Sequence, residues 1–339
     1  MNTGMKKMHF VLAAIAILLI VAGTGYAQKR YRVGVSVAYF NHPVYQLEMK
    51  GMKEVAAKLG DLDMIYLDGK NDAAEQTSQL DSFISQKVDA IILMPAVSDP
   101  LLPAMKRVND AKIPLIIVDR KMWVQNSGVK WDAMVNWNMV LSGSIGGGQV
   151  VSAMGGKGNL VVVEGTPGAG STIDRGDAFY KIVNDFPDIK IVLKTSADFR
   201  RDKGLSVTQD ILARFPKGKL DCIYYMNDEM CLGGLQAIKA AGRLHEFKIV
   251  SVDGDHEAMA ALRKGEIDYD CEFHPDDMAV GVNVAWQILH GQKIDRNSQY
   301  EFAGRKISFA PDHEGFPWIR PTCFWVDKNN ANLPEFLGW

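Results

Sequence analysis

Between Tyr31 and Glu272 the chain alternates short apolar runs with longer segments whose apolar residues return every three or four positions. A continuous β-branched run reads as a strand buried on both faces, and the longer period reads as an amphipathic helix. On this pattern strands are predicted at Tyr31 to Val37, Met64 to Leu67, Ala90 to Met94 and Ile113 to Val118. Helices are predicted at Val44 to Leu59, Ala73 to Gln86 and Leu101 to Ala111. A polar loop from Lys121 to Trp131, carrying Trp123 and Trp131, breaks the rhythm, and Met134 to Trp137 then leads into a helix from Met139 to Met154.

The alternation then restarts. Strands fall at Leu160 to Val163, Ile189 to Lys194, Cys222 to Tyr225, Lys248 to Val252 and Tyr269 to Glu272. The helices between them are Thr172 to Phe186, Gly204 to Phe215, Glu229 to Ala241 and Glu257 to Lys264. Strand and helix in alternation imply parallel sheets with right-handed crossovers, so the fold class is α/β, with two doubly wound Rossmann-like lobes in tandem. The remaining helix, Met278 to Leu289, and a strand-like Lys306 to Ala310 cannot complete a third domain. They are expected to return to the lobes already built, giving one lobe from residues 28–137 plus 274–304 and another from 138–273 plus 305–339. Several crossings between lobes form a hinge. The terminal stretch, with Pro311, Pro317, Pro321 and Pro334, reads as an irregular strap whose aromatics Trp318, Phe324, Trp325 and Trp339 pack.

Composition narrows the function classes. A formal net charge of −2 over 339 residues, with no concentrated Lys/Arg run, gives no electrostatic reason to expect nucleic acid. At the N-terminus Lys6 and Lys7 precede an apolar run from Phe10 to Ala22, then small residues to Ala27 and the polar Gln28-Lys29-Arg30. This reads as a secretory signal peptide, residues 1–27, in preference to a retained anchor, because the run is short for a membrane span. The four cysteines, Cys222, Cys231, Cys271 and Cys323, therefore lie where disulfides can form, yet Cys222 and Cys231 also suit buried thiols. No CxxC spacing suggests zinc.

Candidate chemistry gathers at strand ends. The run Ile113 to Val118 stops on Asp119 and Arg120, which either satisfy each other or face a crevice and hold something rich in hydroxyls. The segment Gly165-Thr166-Pro167-Gly168-Ala169-Gly170-Ser171-Thr172 has the placement of a phosphate loop but lacks its lysine. Its plainer reading is a helix start with Ser171 or Thr172 as cap and Arg175 one turn in, able to reach the crevice. Likewise Asp253-Gly254-Asp255-His256-Glu257 looks metal-like but more simply starts a helix. Neither a catalytic triad nor a dinucleotide fingerprint is present, so no cofactor and no enzymatic turnover are expected. What recurs across both halves is a set of polar and aromatic residues at strand ends: His42, Tyr45, Asp119, Arg120, Phe199, Asn227, Asp253 and Phe273. Planar charged groups bond vicinal hydroxyls in pairs, and aromatic faces cover the C–H face of a sugar ring. A binding set without a nucleophile favours capture over turnover.

The segments Asn41-His42-Pro43, Val118-Asp119-Arg120, Asp174-Arg175-Gly176, Ala197-Asp198-Phe199, Asn227-Asp228-Glu229-Met230 and Val252-Asp253-Gly254 occur in the order found in a known family. Over nearly all of the chain beyond residue 27 the sequence resembles the periplasmic sugar-binding proteins of the ribose/galactose ABC transporter family. The resemblance implies two lobes joined by three crossovers and closing on a monosaccharide. It implies delivery to a membrane permease, and in some members presentation to a chemoreceptor. Asp119, Arg120, Arg175, Asn227 and Asp253 match the family's hydroxyl-binding groups, and Phe199 matches a stacking aromatic. His42 stands where ribose binders have Asn, Val44 replaces the first of two aromatics while Tyr45 keeps the second, and Phe273 takes the place of a Gln. These departures count against ribose itself and leave a monosaccharide, furanose or polyol open, so the expectation is a monomeric, periplasmic carrier of a monosaccharide or related polyol. The alternative is a sensor showing its closed form to a chemoreceptor or histidine kinase.

Overall fold

The computed structural model describes residues 29–122, 127–273, 277–294, 300–302, 305–307, 318–319, 323–333, 336 and 338. The expected leader (residues 1–27), Trp123, Trp339 and all four prolines of the strap lie outside them.

Two six-stranded sheets carry the chain. The first contains β1 (Tyr31–Val37), β2 (Leu62–Asp68), β3 (Ala90–Leu93), β4 (Leu115–Val118), β5 (Ala133–Val135) and β13 (Trp318–Ile319), in the order β2-β1-β3-β4-β5-β13. The second contains β6 (Gly158–Glu164), β7 (Ile189–Ser196), β8 (Cys222–Tyr225), β9 (Lys248–Val250), β10 (Tyr269–Glu272) and β14 (Phe324–Asp327), in the order β7-β6-β8-β9-β10-β14. A short hairpin of β11 (Tyr300–Phe302) and β12 (Arg305–Ile307) stands apart. Every pairing in the first sheet is parallel, and in the second only β14 runs antiparallel, on the edge. The central strands β3, β4 and β8 are buried at every position, which is why they appear in sequence as unbroken apolar runs.

The helices between strands are α1 (Pro43–Leu59), α2 (Ala73–Ser85), α3 (Leu102–Asp110), α4 (Met139–Met154), α5 (Gly170–Asn184), α6 (Arg201–Arg214), α7 (Asp228–Ala240), α8 (His256–Arg263) and α9 (Asp277–Leu289). Helix α4 packs on the second sheet, whereas α9 packs on α1 and the first. The chain therefore passes between lobes three times: between Val135 and Met139, between Glu272 and Asp277, and between Ile319 and Phe324. In both sheets the strand order reverses beside the first strand, between β1 and β3 and between β6 and β8. At such a switch point the carboxyl ends of the strands leave a crevice.

Two expectations are corrected, and one question left open is answered. Residues 305–339 do not all join the second lobe, because Trp318–Ile319 pairs with Met134 and Val135 on the edge of β5. A two-residue strand leaves no periodicity to read, yet it covers an edge that would otherwise offer unpaired peptide groups. Neither Ser171 nor Thr172 caps α5, which begins at Gly170 after Ala169 and has no side-chain cap. Thr172 Oγ1 instead donates to the Thr166 carbonyl at 2.8 Å. The four cysteines are free, buried thiols.

Among the described residues no helix is long and apolar enough to cross a membrane. Trp131 packs with the cluster around Leu101 and Met134, and Trp325 lies against Gly148 and Tyr269, so these aromatics are packing groups.

Candidate ligand-binding site

Elements of both lobes converge on one cavity. From the first lobe, His42 is the N-cap residue of α1, with Pro43 setting the first helical position. Its ring tilts against Tyr45, centroids 4.8 Å apart. Strand β4 ends on Asp119, whose φ of 57° is a left-handed conformation that costs a non-glycine residue energy and turns the carboxylate off the sheet. Asp119 Oδ2 lies 3.4 Å from the Tyr45 hydroxyl and 3.6 Å from Arg120 Nε. Arg120 is fully buried and spends its donors inside its own lobe, on the Ala96 carbonyl at 2.8 Å and the Tyr45 hydroxyl at 3.1 Å.

From the second lobe, Arg175 stands one turn into α5. Its Nε donates to Ser142 Oγ at 3.1 Å, Nη1 to the Met226 carbonyl, and Nη2 lies 3.3 Å from Asp253 Oδ1. Asn227 caps α7 by accepting from Met230 N at 3.0 Å, which leaves its amide nitrogen to face His42 Nε2 across the cleft at 3.5 Å. Phe199 follows β7 in a left-handed conformation, φ 59°, and its ring lies 5.7 Å from the Arg120 guanidinium of the other lobe. Phe273 leans on Trp137, centroids 4.3 Å apart.

Eight of the nine residues singled out in the sequence, all but Arg120, line this cavity. Arg120 sits one layer behind, and its guanidinium braces Tyr45 and Asp119. Of the two readings left open for the Asp119–Arg120 pair, Asp119 faces the crevice, while Arg120 stays beside it as a buried ion pair at 3.6 Å whose hydrogen bonds go to Ala96 and Tyr45. Four further residues line the wall: Val44, Trp137, Met139 and Ser171. Trp137 and Met139 occupy the first crossing, a place the loss of strand period after Val135 marks but does not interpret. Asp255 caps α8, accepting from Glu257 N and Ala258 N, so the metal-like run is a helix start.

The glycine loop has a steric reason of its own. A Cβ on Gly165 would lie 1.9 Å from the Phe199 ring, and one on Gly170 would lie 2.0 Å from the Lys121 carbonyl of the first lobe. These positions are bare because a ring and a neighbouring backbone occupy the space, which removes the need for a phosphate.

Burial dominates the electrostatics. It holds the Asp119 carboxyl above its ordinary range, against the lowering pull of Arg120 and then Arg175. Burial also raises Asp253 well above that range, opposed by Arg175. His42 is driven down from 6.5 to about 3 by burial and then by the positive charges of Arg120 and Arg201, so it is neutral. Between those two values the unfolded chain binds more protons than the folded one, so this group removes stability as pH falls through the window. His42→Asn is therefore expected to lose melting temperature less steeply than the wild type between about pH 7 and about pH 4. Parallel slopes in the two melting series would contradict the assignment. The Asp119 and Asp253 carboxyls with the amide of Asn227 and the Arg175 guanidinium place acceptors and donors on both rims, which suits a polyhydroxylated guest.

Comparison with known proteins agrees with this geometry. A family model described as a periplasmic binding protein domain matches residues 33–293. The ribose import binding protein of Bacillus subtilis is 28% identical over 304 residues, covering 86% of this chain and 96% of that protein. The galactofuranose-binding protein of Escherichia coli is 33% identical over 228 residues, 66% of this chain and 71% of that one. Among solved structures, an ABC transporter solute binding protein from Bacillus halodurans with bound myo-inositol superposes with a TM-score of 0.78 at 25% identity, covering 92% of this chain and 99% of that one.

Proposed function

The chain belongs to the periplasmic binding protein domain family, and from that membership we propose that it is an exported carrier. It captures one monosaccharide or related polyol between its lobes and delivers it to the membrane permease of an ABC transporter. One observation carries the reading: His42, Tyr45 and Asp119 from one lobe and Arg175, Asn227 and Asp253 from the other face a single cavity. A guest can bond both rims only when they are close, so its binding energy offsets the ordering cost of closure. The relatives named for ribose and galactofuranose, and the neighbour holding myo-inositol, supply the ligand class. His42, Val44 and Phe273 depart from the ribose pattern, so a furanose or polyol is favoured over ribose. The basic, then apolar, then small-residue N-terminus supports export to the periplasm with cleavage after Ala27.

A thermal-shift screen of pentoses, hexoses, furanose-rich sugars and polyols tests this directly, because a ligand that binds only the native state raises the melting point. One or a few neutral sugars are expected to raise it, in proportion to the logarithm of their concentration once saturating. Heat with ATP or NAD on titration, and none with any sugar, would overturn the reading. Lost uptake in a deletion strain, rather than lost signalling with uptake intact, separates delivery to a permease from presentation to a chemoreceptor or histidine kinase.

A further inference from the structure

Asp253 reaches the cavity from an unfavourable backbone position, φ 138°, a conformation that side-chain-bearing residues seldom adopt. Something must hold it there. Its own peptide is clamped to the last turn of β10, with N–H on the Cys271 carbonyl and C=O accepting from Phe273 N, both at 3.1 Å. The next two N–H groups, of Gly254 and Asp255, both donate to Asp228 Oδ2, at 2.9 and 2.7 Å. The other oxygen of Asp228 takes the Ser251 hydroxyl. One buried carboxylate on the first residue of α7 thus ties down both sides of the loop that presents Asp253. Asp228 is itself the neighbour of the ligand-facing Asn227.

Against Asp228 stands a second carboxyl, Asp270 of β10, fully buried, whose two oxygens meet no donor among the described residues. Charged and titratable groups face this pair from every side. They are Asp253 and Asp255 on the loop, Glu272 and Cys271 on β10, Cys231 on α7, Tyr224 on β8, and Arg175 of α5 beyond Asp253. Arg175 is the sole cation of that set, and its guanidinium is engaged by Asp253. Two adjacent buried carboxyls cannot both ionise without a counter-ion, and a proton between them satisfies both.

Resting on the carrier reading, we propose that Asp228 is a positioning residue for the ligand-binding Asp253, and that it acts as one half of a proton-sharing pair with Asp270. The two carboxyls hold one proton and one negative charge between them, and Asp228 Oδ2 accepts from the loop whichever of the two carries the proton. Burial holds both above the ordinary range; the charge of Asp270 adds to the rise at Asp228, whereas the hydrogen bond with Asp228 draws Asp270 back, so that it stands at about 8. The two titrate as a unit. Loss of the shared proton puts a second negative charge under the loop and raises the cost of ionising Asp253. An acid whose folded value lies above its unfolded one gives stability that is complete below about 4 and lost as pH rises through about 8.

The test is the sugar Kd by calorimetry, and the melting temperature without sugar, from about pH 5 to about pH 9, for wild type, Asp270→Asn and Asp228→Asn. Wild-type affinity is expected to weaken about tenfold for the unit of pH above 8. Asp270→Asn, which carries a permanent donor, should give a flatter affinity profile and a sugar-free melting temperature that falls less steeply over this range than the wild type's. Asp228→Asn should bind weakly at every pH, because two backbone N–H groups lose their charged acceptor. An Asp270→Asn profile that tracks the wild type overturns the proposal. If no sugar binds the wild type, the carrier reading fails, while the sugar-free melting series still decides the shared proton. Should Asp270→Asn not fold, carboxyl carbon resonances of labelled aspartate in the wild type decide: coupled midpoints with one near 8 support the pair, and every buried aspartate ionised at pH 6 overturns it.

Discussion

Asp119→Ala is expected to abolish saturable sugar binding while the protein still melts in one cooperative transition, at a lower temperature. Asp119 is 5% exposed, and its carboxylate lies within reach of Tyr45 and Arg120 as well as of the cavity. Removing it takes away a charged acceptor for ligand hydroxyls, and charge-assisted bonds in a dry cleft are the strong ones. Two such bonds at about 1.5 kcal/mol or more each amount to a loss of over about a hundredfold in Kd. The truncation also leaves Arg120 buried without its carboxylate, which costs about 3–5 kcal/mol of stability. Asp119→Asn separates the two effects, since an amide oxygen can still accept from Tyr45 and Arg120 but carries no charge. Its melting should stay nearer the wild type while binding still weakens. Titration calorimetry beside thermal melts reads both quantities, and an Asp119→Ala protein that binds sugar as the wild type does would remove Asp119 from the site.

How much of this was legible in the sequence depends on the kind of signal. Buried parallel strands announce themselves, since Ala90–Leu93, Leu115–Val118 and Cys222–Tyr225 are apolar at nearly every position and a polar or turn residue, Pro95, Asp119 or Asn227, follows within two positions. Helix α4 has the ends expected of it, Met139 and Met154, and Asn138 and Gly155 cap it from either side. The strand-end residues His42, Asp119, Asn227 and Asp253 could be picked because topology alone sends such positions to a crevice. Three things could not be read. The pairing of Trp318–Ile319 with β5 depends on an edge left open nearly 200 residues earlier. Arg120 was placed beside its neighbour in the site, but its guanidinium turns back to Ala96, a rotamer choice that sequence does not record. Asp228 and Asp270 are unremarkable letters, one at a helix start and one in a strand, and only the fold puts their carboxyls together.

Gly170→Ala is the variant that most sharply separates folding from closure. In the structure a Cβ at this position would lie 2.0 Å from the Lys121 carbonyl oxygen and 2.9 Å from its carbon. These are backbone atoms of the opposite lobe, so no side-chain rotation relieves the contact. Ordinary contact begins at 3.4 Å, and the lobes must part at this point to reach it. Bonds that span the cleft do not survive such a displacement: the Asn227–His42 contact already stands at 3.5 Å, the limit at which a hydrogen bond counts. The open state pays no comparable penalty. Gly170 is the first residue of α5, and alanine is the better helix former by up to about 1 kcal/mol. The sugar-free melting temperature is therefore expected to hold or rise. Affinity should fall by about a hundredfold or more if two spanning bonds are lost. Small-angle scattering supplies the second readout: the wild type should contract on adding sugar, and Gly170→Ala should not. Gly165→Ala serves as the control, because its Cβ meets only the Phe199 ring of the same lobe and so disturbs the wall of the site without wedging the lobes apart. A Gly170→Ala protein that contracts and binds like the wild type would mean that the loaded lobes do not meet at the Lys121 carbonyl, and the binding state would then have to be built on a different approach of the two sheets.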